Sequence, residues 1–295
     1  MRCLRFARLL AFTLVLAAAL QCKPSVQSFD AETNRALSEF FARTANHSGR
    51  KVAVFDGDGT VVGQVPHYLA DECMYEFAQK NPAKHPDVIR RIKPQSNVSM
   101  PYVRGRVQFF AGETMESLRD IGDDCFRRYY AGKIYPQMRE LVSVLHKHDF
   151  EVWIITASPE ALYQRFLSRE LGIPTTRILG VKSVVKDGIV TDQMIEPVPQ
   201  DEGKRLAIET FVQARPLLAG GNSRGDAEMI NFSSDFKIIV NPDPSKPANG
   251  DPSVEDLARE GNWHIVRIRD VEEPGFPGIS SKVFGVRKNK TNDVP

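Results

Sequence analysis

This chain has few of the residues from which disulfide frameworks and zinc sites are built. Its 295 residues hold four cysteines and six histidines, with no CxxC pair and no Cys/His spacing of the zinc-binding kind. An excess of one charge is also missing: 39 Lys and Arg against 37 Asp and Glu leave +2. Nucleic-acid binding calls for a basic excess, so no such partner is expected. There is no internal repeat and no low-complexity run.

Long apolar runs are confined to one place. Leu9 to Leu20 is apolar apart from Thr13 and follows Arg2, Arg5 and Arg8. A basic flank and a short apolar run predict a secretory signal over residues 1–22. The run falls short of the roughly 20 residues of a membrane span. Two other readings stay open: an anchor that is never cleaved, and lipid attachment at Cys22, although Gln21 before it is larger than the usual small residue. The chain is therefore expected to be exported, either periplasmic or a membrane-anchored lipoprotein, meeting a membrane only through that signal or lipid. Cys3 falls in the signal. Cys73 and Cys125 remain, as a disulfide or as two separate buried thiols. No feature sets an oligomeric state.

What is present is an alternation of strand and helix patterns. Residues 36–42 carry helical spacing, and 51–55 read as a buried strand. Residues 66–136 differ: helical periodicity, many charges and several aromatics, but few strand-like runs. From residue 137 the alternation resumes. Helices are expected over 138–146, 159–171 and 202–212, with another opening at 226–230. Strands are expected over 151–155 (ended by Thr156), 177–181, 216–219, 237–240 and 263–268. Asp187-Gly188 between apolar runs signals a hairpin. This order predicts an α/β fold: a three-layer, Rossmann-like core with a parallel sheet plus a mainly helical cap. The core takes 23–65 and 137–268, the cap 66–136. A Pro-, Gly- and Lys-rich tail, irregular and then disordered, takes 269–295.

Four features carry chemistry, and open parallel sheets gather such features at the carboxyl ends of their strands. Asp56-Gly-Asp-Gly-Thr60 follows the first strand. Two carboxylates two residues apart can share one crevice, Asp56 to attack phosphorus and Asp58 to carry a proton. Thr156-Ala157-Ser158 ends the second strand and offers a hydroxyl and backbone amides to a phosphoryl oxygen. Lys204, early in a helix, can offset charge gathering on phosphate. Gly220 to Asp226 follows another strand and places Asn222 and Asp226 four apart, an oxygen pair suited to Mg2+. Each alone has a plain structural explanation: an acidic turn, a helix cap, a solvated lysine, a glycine turn.

Together these residues resemble the haloacid dehalogenase superfamily over about residues 50–268, in its phosphoserine phosphatase-like branch, where a helical cap is inserted between the first two motifs. The resemblance implies Asp56 as nucleophile, Asp58 as general acid and base, Thr156 as phosphate binder and Lys204 as the charge-stabilising lysine. It also implies a Mg2+ site from Asp56, the Asp58 backbone carbonyl and the Asn222/Asp226 pair. Many members carry Asp where Asn222 stands, which implies weaker metal binding or a larger share for Asp226. Dehalogenases of the superfamily lack the second Asp, because halide leaves without a proton; Asp58 points instead to phosphate esters.

The expected function is thus a Mg2+-dependent phosphomonoesterase working through an aspartyl-phosphate on a small phosphate ester, phosphocholine-like or of broad range. The alternatives are a non-catalytic surface protein that binds a phosphate ligand with the same fold, and phosphoryl transfer to another alcohol. In the cap, Tyr102, Arg104, Arg106, Phe109 and Phe110 are candidates for reading the alcohol, the arginines through an anionic group and the aromatics around a choline-like head. Glu113 and Arg119 are lesser candidates, and each of these residues can equally be cap core or solvated surface. His146 and His148 are expected at the surface.

Overall fold

The structure, a computed structural model, describes residues 25–27, 29–270 and 276–280. The expected signal, Cys3, Cys22 and most of the expected tail lie outside the described residues. Among these, no helix is long and apolar enough to cross a membrane.

Seven strands form one sheet: β1 (Val52–Phe55), β2 (Glu151–Pro159), β3 (Ile178–Lys186), β4 (Ile189–Ile195), β5 (Leu218–Gly221), β6 (Phe236–Val240) and β7 (His264–Val266). Their order is β4-β3-β2-β1-β5-β6-β7, parallel throughout except for β3 with β4. That antiparallel pair is the expected hairpin. Asp187 and Gly188 both take positive φ, 52° and 81°, as a two-residue turn demands. β1 lies at the centre and is buried on both faces, which explains its unbroken Val-Ala-Val-Phe.

The helices are α1 (Ala31–Thr44), α2 (Leu69–Lys80), α3 (Pro86–Ile92), α4 (Met100–Phe110), α5 (Met115–Cys125), α6 (Pro136–Lys147), α7 (Glu160–Leu171), α8 (Glu202–Ala207), α9 (Ala227–Phe232) and α10 (Val254–Glu260). The sheet's period of two sorts its core. Ala53, Phe55, Val152, Ile154 and Ile238 face one layer with Leu37 and Phe40 of α1, Leu141 and Leu145 of α6, and Phe166 of α7. Val54, Ile155, Leu179 and Ala219 face the other, with Ile208 and Val212 in the π-helical turn after α8 and Met229 of α9. This is the expected three-layer α/β core.

Some boundaries differ from the sequence pattern. β2 does not stop at Thr156 but runs to Pro159, which pairs with Val181 across an irregularity after Ile155. The last strand is only 264–266. The helix expected over 202–212 changes to a wider π turn at Ile208.

Helices α2 to α5 lie between β1 and α6 and contribute no strand to the sheet. Two close approaches of the backbone set them on the core. Gly122 of α5 lies so close to the Leu162 carbonyl of α7 that any Cβ would collide with it. At the other edge, Gly112 N–H donates to the Val190 carbonyl and Val190 N–H to that of Glu113. The two linkers to the core also pair: Gly63 N–H donates to Lys133 O, and Tyr135 N–H to Val61 O.

One later residue ties both linkers. Asp270 accepts from the Gln64 and Val65 amides at 2.7 and 3.0 Å and from Lys133 Nζ at 2.8 Å. Farther on, Glu72 of α2 accepts from the Ile279 and Ser280 amides, and Phe276 meets the Tyr130 ring. The described part of the expected tail is therefore packed against the cap.

Candidate active site

The carboxyl ends of β1, β2 and β5, the three middle strands, bring the sequence features together. Phe55 delivers Asp56, whose amide donates to the Gly220 carbonyl at 3.0 Å and so fastens the end of β1 to β5. Gly57 passes close to Thr156: a Cβ there would stand 3.4 Å from the Thr156 Cβ. Gly59 has φ +80°, and a Cβ there would run into the Asn222 side chain. These two glycines let the first loop approach the second and fourth.

The result is a cavity of about 100 Å³ lined by Asp56, Asp58, Thr156, Ala157, Lys204 and Asn222, all six expected from the sequence. Asp226 lies beneath it, fully buried. Lys204, in the first turn of α8, is buried instead of solvated. Its Nζ donates at 2.5 Å to Asp56 Oδ1 and at 2.5 Å to Asp226 Oδ1. Asp226 Oδ2 takes the Asn222 and Ser223 amides and the Ser223 hydroxyl.

The two carboxylates that share Lys204 behave differently. Burial raises the proton affinity of Asp56, and Lys204 only partly opposes it while Asp226 and Asp58 add repulsion. At Asp226, burial is outweighed by Lys204 and the donors on its second oxygen, and the pKa falls. The two carboxylates overcome burial at Lys204 and keep its ammonium charged. Asp58 is pushed up to about 6, chiefly by burial. Its oxygens receive Tyr163 Oη at 2.8 and 2.8 Å and Ser158 Oγ at 3.2 Å.

Among the described residues no three His, Cys, Asp or Glu side chains converge as a preformed metal cluster. The donor chemistry nonetheless fits a hard cation. Asp56 and Asp226 share a single buried lysine, Asp58 lines the same cavity, and Asp56 carries the unbalanced repulsion.

The cap candidates separate. Arg106 lines the cavity, buried, with its Nε lacking a hydrogen-bond partner. Its other contacts are long: Ser158 Oγ at 3.4 Å, the Asn97 carbonyl at 3.3 Å and Asp71 Oδ1 at 3.7 Å. Tyr102 does not line the cavity. It lies under the Arg106 guanidinium and meets the Tyr75 hydroxyl at 2.9 Å. Arg104 is exposed, because it falls on the outer face of α4. Phe109 and Phe110 pack with Phe77 inside the cap, so no aromatic cage forms. Glu113 pairs with Lys84 at 2.7 Å and Arg119 with Gln164 at 2.9 Å, both away from the cavity. His148 stacks on Phe41, and His146 is likewise half-buried. Cys73 and Cys125 are two buried free thiols, the second of the two expected readings, and they lie against each other between α2 and α5.

Sequence reasoning missed Tyr68, Asp71, Asn97 and Tyr163. Tyr68 and Asn97 line the cavity; the Asn97 amide donates to Asp71 at 3.1 Å. Tyr163 falls at core spacing on α7, and only its polar tip, five residues past Ser158, could have marked it.

Known proteins share parts of this sequence and this fold. The model of the haloacid dehalogenase-like hydrolases matches residues 53–231. A Mycobacterium leprae protein named a hydrolase is 27% identical over 183 residues, 60% of this chain and 57% of its own. The Mycobacterium tuberculosis protein named phosphoserine phosphatase SerB1 is 27% identical over 194 residues, 64% of this chain and 59% of its own. The chain thus spans less than two thirds of the length of these relatives. A functionally unknown protein from Anaerococcus prevotii has a similar fold, with a TM-score of 0.62 at 14% identity, over 80% of this chain and 92% of that one. One from Bordetella pertussis Tohama I reaches 0.54 at 15%, over 74% and 99%. The family match covers more than half of the chain: the chain belongs to the haloacid dehalogenase-like hydrolases.

Proposed function

We propose that this chain is a phosphomonoesterase. The observation that carries the reading is the pair Asp56 and Asp58 in one cavity with unlike surroundings. Asp56 lies against the Lys204 ammonium at 2.5 Å, whereas Asp58 is held by the hydroxyls of Tyr163 and Ser158. A nucleophile and a proton carrier are thereby distinguished. Asp56 attacks phosphorus, Asp58 protonates the departing alcohol, and Asp58 then takes a proton from the water that opens the aspartyl-phosphate. The Thr156 hydroxyl, the Ala157 amide and Lys204 hold the phosphoryl oxygens. The likeness to a protein named phosphoserine phosphatase supports phosphate esters as the substrate class.

Asp56, the Asp58 carbonyl, Asn222 and Asp226 are the residues that would hold Mg2+. Such an ion neutralises phosphoryl charge. The small cavity favours a short alcohol. Arg106, with its unpartnered Nε, favours one bearing an acidic or hydroxyl group over a choline-like head. The basic and apolar start of the chain supports an exported setting.

The test is phosphate release from a panel including phosphoserine, glycerol phosphate and phosphocholine, with Mg2+ and with EDTA, beside Asp56→Asn. Release that needs Mg2+ and vanishes in the variant is the expected result. A folded chain that binds phosphate but releases none would sink the reading and leave a binding protein; added alcohols that divert the product would indicate transfer.

A further inference from the structure

Tyr163 has no part in holding phosphate, yet it touches both halves of the molecule. It stands on α7, fully buried, with its hydroxyl 2.8 Å from each oxygen of Asp58. The same hydroxyl accepts the Ala70 amide at 3.3 Å. Ala70 lies in the first turn of α2, where backbone amides have no partner within their own helix. A hydroxyl has one proton to give. With the Ala70 amide on its lone pair, that proton is turned toward the carboxylate.

We infer that Tyr163 is a positioning residue for proton transfer, which holds Asp58 toward the leaving oxygen and is itself oriented by the first turn of the cap. The inference rests on the phosphomonoesterase reading. Together with Ser158 the Tyr163 hydroxyl restrains the carboxylate and leaves Oδ1 a free lone pair for the transferred proton. Ser158 adds a second, longer bond to Oδ2 alone.

Proton donation matters in proportion to the basicity of the leaving group. An alkoxide departs only with a proton, whereas p-nitrophenolate departs without one. The experiment compares Tyr163→Phe, Asp58→Asn and the unsubstituted chain on glycerol phosphate and p-nitrophenyl phosphate in Mg2+, reading kcat/KM. For Tyr163→Phe, glycerol phosphate is expected to lose about tenfold or more and p-nitrophenyl phosphate no more than about threefold, with Asp58→Asn showing the same selectivity at larger size. Equal losses on both esters, as misfolding or a merely structural role would give, overturn the inference; so does no loss on either. If Tyr163→Phe does not fold, Ser158→Ala must show the same selective loss at smaller size, and an equal loss there overturns it too. Absence of release by the unsubstituted chain from both esters would instead bring down the phosphomonoesterase reading.

Discussion

Arg106 of α4 faces Asp71 of α2 at 3.7 Å, and both side chains are buried. Burial raises the pKa of Asp71, and Arg106 opposes this. Removing one partner of a buried pair leaves a charge without compensation. Arg106→Gln is expected to lose about 3 kcal/mol of stability at pH 8 in urea unfolding. The loss should shrink at pH 5, where Asp71 can take up a proton, and Asp71→Asn in the same chain should restore most of it. Equal losses at both pH values would contradict this.

Asp58 sets a second pH dependence. Its folded pKa of about 6 exceeds the ordinary carboxylate value, so the folded chain binds the proton more tightly than the unfolded one. Stability in EDTA should therefore fall as pH rises from about 4 to about 6. Asp56 is shifted the same way. Glu76 is the reverse case: burial pushes it up, but Arg128 and Lys80 hold it at about 2, so its contribution is lost only as pH falls below about 4. Asp58→Asn should stabilise the protein at pH 7.5 by on the order of 1–3 kcal/mol. Thermal melts across the range would show a flatter slope.

Lys204→Met removes the ammonium between Asp56 and Asp226. The two carboxylates then repel across the same space, and developing phosphoryl charge loses a fixed cation. Turnover on glycerol phosphate should drop about 100- to 1000-fold. A loss under about tenfold would show that Lys204 only fills space.

Asp270→Ala deletes the acceptor shared by the Gln64 and Val65 amides and the carboxylate that compensates the buried Lys133 ammonium. Chemical unfolding should show a loss of about 3–5 kcal/mol. Limited proteolysis should then cut first in the linkers, near residues 63–66 and 131–135.

The parts of the site that sequence made legible are those fixed by local chain geometry. Asp56 to Thr60 had to be a strand-ending loop because an apolar run meets two glycines. Lys204 and Asp226 could be placed because each opens a helix after a strand or hairpin, and Asn222 because it directly follows the strand that ends at Gly221. What lay hidden depends on contacts between distant segments. Asp71 and Asn97 find each other only when the cap folds, and Tyr163 reads as core until its hydroxyl meets Asp58. Arg104 and Arg106 are two apart on a helix and so face opposite sides; only packing decides which turns inward. β2 outran its expected end because its pairing with β3 resumes at Pro159, opposite Val181, past the irregularity after Ile155.

The bond from Asp270 to the linkers has a consequence in time. Residues 64 and 65 leave the ribosome some two hundred residues before the carboxylate that secures them. During synthesis the cap can form first, but the joint between cap and core stays unfastened until Asp270 has emerged.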